Sequence, residues 1–215
     1  MPPVGNDIVD LADAENIGKS EDERFCRRVF NAEELSMIAA SPRPDSFLWA
    51  IWAAKEAAYK AISRSDPSVC SIPKKYPVIL ESRSTEMLSN FQEGIATSLD
   101  GKVKTPRGEM TVRISIAEDS VYAIAAQTAE MLKRVVSRVK RIDPAENDAS
   151  GVVRKILLEE IAGRLGCSSE DLSIADEKRG PGAPFILLRG TRLPAEISLT
   201  HDGRFVAFAF DPATF

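Results

Sequence analysis

Residues 47–62, Phe-Leu-Trp-Ala-Ile-Trp-Ala-Ala-Lys-Glu-Ala-Ala-Tyr-Lys-Ala-Ile, constrain this chain more than any other stretch. Alanine is the strongest helix former, and Leu48, Ile51, Trp52, Ala58, Tyr59 and Ile62 recur at helical spacing, so the segment predicts one amphipathic helix. Lys55, Glu56 and Lys60 interrupt the apolar run. At 100° per residue Glu56 lies about 80° and Lys60 about 120° from Leu48, at the border of the apolar stripe. An acid and a base four residues apart share one edge of the helix, which describes an ordinary surface ion pair as well as it describes a site. Lys55 projects into the apolar stripe, where it either snorkels as packing or approaches a ligand.

A second segment changes the balance. Val4-Gly5-Asn6-Asp7-Ile8-Val9-Asp10-Leu11 reads as a buried strand bearing two carboxylates. A buried carboxylate is costly unless it is paired or bound to a metal. The alternative makes Asp7 and Asp10 turn or capping residues. Gly5 permits close approach of another backbone.

Between these segments, Ser20-Glu21-Asp22-Glu23 has capping-box spacing before a short helix over 24–30, and Asn31-Ala32-Glu33-Glu34 repeats it for 34–40. Pro42 and Pro44 break that second helix, and Asp45 or Ser46 is placed to cap the long one. Residues 76–126 read mainly as strands, with turn signals at Asp100-Gly101 and Arg107-Gly108. A basic stretch over 132–141 leads to Asp143-Pro144-Ala145-Glu146-Asn147-Asp148, the best linker in the chain. Ser150 then caps a helix over 152–165 that Gly166 stops, and residues 172–210 return to strands. Ile114–Ala126 aligns without gaps on Ile197–Ala209, each copy reading as strand, turn, strand. The fold class expected is therefore α+β, with two related halves, about 1–130 and 150–215, joined by a linker over 131–149. They are expected to pack across a pseudo-twofold, with a shared cleft as the natural ligand site.

A chain of 215 residues with 44% hydrophobic content can bury two such cores. A net charge of −4 gives no basic footprint for nucleic acid. The three cysteines, Cys26, Cys70 and Cys167, are scattered and odd in number, which speaks against a disulfide framework or zinc ribbon and suits a reduced cytoplasm. No apolar run approaches membrane-spanning length, and no leader is evident, so neither membrane nor secretion is expected.

Three elements together resemble the 4′-phosphopantetheinyl transferases. Gly5-Asn6-Asp7-Ile8-Val9-Asp10-Leu11 resembles the family's G-(I/V)-D-(I/V)-V-(E/D)-(I/L) opening. Trp52–Ala61 resembles its (F/W)-x-x-K-E-(A/S)-x-x-K-(A/L) helix, and Ile197–Ala207 its S-(I/L)-(S/T)-H-(S/T)-G-x-(Y/W/F) hairpin. The resemblance implies transfer of the phosphopantetheine arm of coenzyme A to a serine of an apo acyl or peptidyl carrier protein, with Mg²⁺ (or Mn²⁺) and release of 3′,5′-ADP. It implies Asp7 and Glu56 as metal carboxylates, Glu56 also as base, and Lys60 as the phosphate-binding lysine. His201, in a turn with Ser198 or Thr200 beside it, is implied as a coenzyme A contact. Where surfactin-type members carry a third acid this chain has Val9, so a water is expected as third ligand; Asp10, three residues from Asp7, faces the other way in a regular strand.

The family's Gly-Lys-Pro lysine is replaced by Ala183, leaving Lys178 or Arg179 as substitutes, with Lys55 a further candidate. Arg24, Arg27 and Arg28 resemble the basic helix that meets the acidic carrier. The halves stand in permuted order relative to surfactin-type members, or equally form a small-type unit with an added half. Two halves in one chain predict a monomer. The rivals are a coenzyme A or carrier-binding module of the same fold without catalysis, and an interaction scaffold whose charges are all surface pairs.

Overall fold

A computed structural model describes residues 3–87, 95–143, 145, 147–176 and 184–214. The chain opens with strand β1 (Val4–Asp10), then helices α1 (Glu23–Val29), α2 (Ala32–Ala40) and α3 (Pro44–Ser65). Strands β2 (Val78–Met87), β3 (Ile95–Thr105), β4 (Gly108–Ile116) and β5 (Ser120–Ala126) follow, then the short helix α4 (Ala129–Arg134) and strand β6 (Val136–Arg141). Helix α5 (Ala149–Leu165) precedes β7 (Leu172–Asp176), β8 (Pro184–Leu188), β9 (Thr191–Arg192), β10 (Ile197–Asp202) and β11 (Phe205–Phe210). The result is the expected α+β class. Among the described residues no helix is long and apolar enough to cross a membrane.

Local chemistry sets the helix ends. Asn31 and Glu34 form the expected reciprocal capping box of α2, at 2.8 and 2.9 Å. Asp22, rather than Ser20, caps α1 by accepting from the Phe25 N–H at 2.9 Å. Pro44 occupies the first position of α3, where its missing N–H costs nothing. Neither Asp45 nor Ser46 caps that helix. Instead the Asp45 carboxylate accepts from the N–H groups of Gly18 and Ser20, both at 2.8 Å, and ties the loop after β1 to the helix start. Asp148, rather than Ser150, caps α5, which ends at Gly166 in the left-handed region with φ 66°.

Strands β1 to β5 form one antiparallel sheet in the order β1-β5-β4-β3-β2, with α3 laid across it. Six alanines of α3 are buried, and the small surface lets β1 come close. A Cβ on Gly5 would lie 2.0 Å from the Ala57 carbonyl oxygen, so no other residue fits there. Asp100-Gly101 is not a turn. It lies within β3, opposite Arg113 and Val112 of β4, because the Asp100 carboxylate holds Arg113 in a two-pronged ion pair at 2.8 and 3.0 Å. Long-range pairing here overrides a local turn signal.

In the second half α5 covers a three-stranded sheet, β10-β11-β6, with a small sheet β7-β8-β9 beside it. Within the stretch read as linker, Val136–Arg141 is β6 and pairs with β11; residues 144 and 146 lie outside the described residues. Both aligned copies of the internal echo are hairpins, but with different registers. Ile116 closes on Val121, whereas its counterpart Leu199 pairs with Phe208, and the second hairpin runs on to Asp202 and Phe205 before turning at Gly203-Arg204.

A third core joins the halves: Val4 and Ile8 of β1 and Tyr122 and Ile124 of β5 pack with Val139, Phe205, Ala207 and Ala209. Beside it, β10 lies along the free edge of β1. The Asn6 N–H donates to the Ser198 hydroxyl at 3.0 Å and the Asp10 N–H to the Asp202 carboxylate at 2.8 Å. Asp10 is itself fully engaged. It accepts from the Arg204 side chain at 2.6 and 2.8 Å, from the Arg204 N–H at 2.9 Å and from the Ala12 N–H at 3.0 Å.

Burial alone would raise the Asp10 carboxyl, but the Arg204 and backbone donors hold it below its usual 3.8. The stability this adds is present above pH 3.8 and is lost as the pH falls through the depressed value. Arg204→Met removes one member of this pair and leaves a carboxylate only 2% exposed without its cation. Urea denaturation at pH 7 is expected to show a loss of about 3 kcal/mol. The loss is expected to shrink on acidification below about pH 4, where Asp10 of the variant is protonated.

Candidate functional site

Three elements converge where the halves meet. β1 presents Asp7, α3 presents Glu56 and Lys60 on successive turns, and β10 presents Thr200. The Lys60 ammonium donates to Asp7 Oδ1 at 2.7 Å and to the Thr200 hydroxyl at 3.3 Å, and that hydroxyl donates to Asp7 Oδ1 at 3.1 Å. The Asp7 side chain is 10% exposed and that of Lys60 32%, so the cluster opens to solvent at the lysine. Glu56, half-buried, accepts one hydrogen bond among the described residues, from the Ser71 hydroxyl at 3.5 Å. Its burial, and then the charge of Asp7, push its carboxyl above the usual range; Lys60 and Ser71 oppose this only in part.

Asp7 therefore commits one oxygen and keeps the other without a hydrogen bond among the described residues. Glu56 holds a charge that its surroundings do not balance. Two carboxylates of this kind are hard-oxygen donors, which suits a divalent cation that completes its shell with water or substrate oxygens. They make an open pair rather than a cage: among the described residues no group of three or more His, Cys, Asp or Glu side chains is placed to hold a metal.

The other expected residues stand elsewhere. Lys55 is 1% exposed, and its ammonium is used up by Glu34 at 2.7 and 2.8 Å and by the carbonyls of Tyr76 and Pro73 at 3.1 and 3.2 Å. Glu34 is buried too and also accepts from the Asn31 and Val78 N–H groups. Lys55 is thus a satisfied core lysine and not a ligand contact. Ser198 is completely buried against Asn6. His201 is not in a turn. It pairs with Val206 within the hairpin, is exposed, and projects from the face of β10 opposite Thr200. Asp10 is committed to Arg204 and is no metal ligand.

Arg24, Arg27 and Arg28 are exposed on α1, Arg27 in an i,i+4 pair with Glu23 at 2.8 Å. Lys178, Arg179 and Ala183 lie outside the described residues. Sequence reasoning missed Ser71, for which no local signal exists. It also missed Arg64, which the four-residue spacing from Lys60 could have flagged.

Comparison with known proteins bears on the same elements. A family model described as the 4′-phosphopantetheinyl transferase superfamily matches residues 3–117. A holo-acyl-carrier-protein synthase of Shewanella denitrificans is 32% identical over 130 residues, 59% of this chain and 95% of that protein. One of Campylobacter curvus is 28% identical over 123 residues, 57% of this chain and 95% of its own length. Such relatives span little more than half of this chain.

A carboxyl whose value is raised on folding adds stability below its unfolded value, near 4.5, and that stability is lost as the pH rises through the folded value. At neutral pH ionised Glu56 therefore works against the fold. Glu56→Gln is expected to raise the melting temperature at pH 7 by about 2–4 °C, as for roughly 1 kcal/mol in a chain of this size. The gain is expected to vanish in melts at pH 4. A variant less stable than the parent at pH 7 would contradict this account of Glu56.

Proposed function

This chain belongs to the 4′-phosphopantetheinyl transferase superfamily, and we propose that it moves the phosphopantetheine arm of coenzyme A onto a serine of an apo acyl or peptidyl carrier protein. The observation that carries the reading is the junction of Asp7, Glu56, Lys60 and Thr200, drawn from three elements of both halves.

In the reaction the serine oxygen attacks the β-phosphorus of coenzyme A. A new P–O bond forms to serine, the bond to the bridging oxygen breaks, and 3′,5′-ADP leaves. Glu56 takes the hydroxyl proton. A carboxyl raised by burial is a better base than an ordinary one, and it sits next to the carboxylate of Asp7. Lys60, held by Asp7 and Thr200, meets the negative charge that grows on the phosphoryl oxygens. Asp7 and Glu56 would hold Mg²⁺, which when bound neutralises diphosphate charge. Thr200, rather than His201, is the contribution of the second half.

The exposed arginines of α1 give an acidic carrier a cationic surface to approach. Halves over about 1–130 and 150–215, related by a pseudo-twofold, supply both walls of the cleft in one chain. The free cysteines agree with a cytoplasmic enzyme.

Mass spectrometry of apo carriers incubated with coenzyme A and Mg²⁺ is expected to show the added arm, and chelation by EDTA is expected to abolish it. Asp7→Ala, folded by circular dichroism, is expected to lose about a thousandfold or more in rate. Near-normal turnover by that variant, or full activity in EDTA, would sink the assignment. The outer edge of β1 already has its partners within the chain, so sedimentation is expected to give a monomer. An obligate trimer with sites between subunits would contradict the single-chain cleft.

A further inference from the structure

One charged side chain in the same seam has no part in the chemistry above. Arg64 stands a helical turn beyond Lys60, so Glu56, Lys60 and Arg64 form one ridge along α3, each step rising about 6 Å. Opposite, Glu196 stands just before β10, four residues ahead of Thr200. The Arg64 side chain is only 12% exposed, yet its single ionic neighbour among the described residues, Glu196, lies 3.7 Å away. That is beyond hydrogen-bond reach, and the buried Nη1 of Arg64 has no hydrogen-bond partner among the described residues.

Elsewhere this molecule pairs arginines with buried acids closely. Arg204 meets Asp10 at 2.6 and 2.8 Å, and Arg134 meets Asp211 at 2.7 to 3.0 Å. Both of those pairs are complete; the Arg64 pair is not. Burial pulls the guanidinium's pKa down to about 10, the charge of Glu196 opposing this only in part, so it stays charged at neutral pH in surroundings that do not satisfy it.

We propose that Arg64 is a second anion-binding residue of the cleft, whose guanidinium takes a phosphate oxygen of the diphosphate donor in the place that Glu196 fills loosely in the free protein. The inference rests on the transferase reading. Lys60 alone is already shared between Asp7 and Thr200, whereas a diphosphate brings more charge than one ammonium offsets. A guanidinium suits phosphate oxygens, and low exposure strengthens the attraction. Glu196 acts as a placeholder: its side chain, 20% exposed, keeps Arg64 from standing as a bare buried cation and yields to the stronger anion.

The test is calorimetric titration of the whole protein with coenzyme A and with dephospho-coenzyme A, which keeps the diphosphate but lacks the 3′-phosphate. Arg64→Gln is expected to weaken both by about tenfold or more, the loss of one hydrogen bond to a charged group. Arg64→Lys is expected to recover part of that loss. Glu196→Gln, which removes the competitor, is expected to bind both about threefold more tightly, on the order of a displaced weak contact.

Weakening confined to coenzyme A would place Arg64 on the 3′-phosphate and overturn the diphosphate assignment. Unchanged affinities in Arg64→Gln, with only a lower melting temperature, would make the pair structural. If Arg64→Gln fails to fold, weaker or unchanged binding by Glu196→Gln overturns the proposal by itself. Wild-type protein that binds coenzyme A but transfers nothing would defeat the proposed function while leaving Arg64 to be decided by these affinities. Failure of the wild type to bind either compound would defeat both.

Discussion

The structure depends on what happens to the outer edge of β1. The strand pairs with β5 on one side only, so every second N–H and carbonyl on the other side needs a partner or water. The second half provides it with side chains rather than with another ladder strand: Ser198 and Asp202 of β10 accept from Asn6 and Asp10. This fixes how the halves meet. It also fixes the site, because alternation then turns Gly5 and Asp7 toward α3 while Thr200, between Ser198 and Asp202, reaches Asp7 from the flank. Gly5 sets the depth, since only a residue without a side chain lets β1 settle onto the α3 backbone closely enough for Lys60 to reach Asp7.

The charges sort into two kinds. Those that hold the fold are complete: Lys55 with Glu34 and two carbonyls, Asp10 with Arg204 and two backbone donors. Those along the cleft are not. Among the described residues Asp7 has an oxygen to spare, Glu56 leans weakly on Ser71, and Arg64 faces Glu196 beyond bonding distance. Folding tolerates such groups only at a cost in stability, which is why unbalanced charge collected in one seam reads as a ligand site.

Much of this was legible before any coordinates. Helical periodicity gave α3, and the cost of burying a carboxylate singled out Asp7. The Asn31–Glu34 spacing gave the start of α2. What the sequence hid was the third dimension. Lys55 and Lys60 lie five residues apart on one helix, and only the position of Glu34, from another helix, decides that the first is structural. The Asp100-Gly101 dipeptide is a turn signal that a cross-strand arginine overrides. The gap-free match between the two hairpins suggested a turn around His201, but the second hairpin runs further before turning, which puts His201 in a strand and Thr200, its neighbour, at the site. Adjacent residues of a strand point to opposite faces, so which of Thr200 and His201 meets the site depends on that pairing and leaves no trace in composition.

The covered edge of β1 also sets an order of events as the chain is made. β1 emerges well before its partners: its ladder partner β5 is more than a hundred residues behind it, and Ser198 lies 192 residues beyond Asn6. Helices α1 to α3 can form from local contacts as they emerge, while the outer edge of the seven-residue strand must wait for the β10–β11 hairpin. The arrival of β10 is thus the event that seals β1, and a chain stalled or cut before β10 would present an open strand edge to its neighbours.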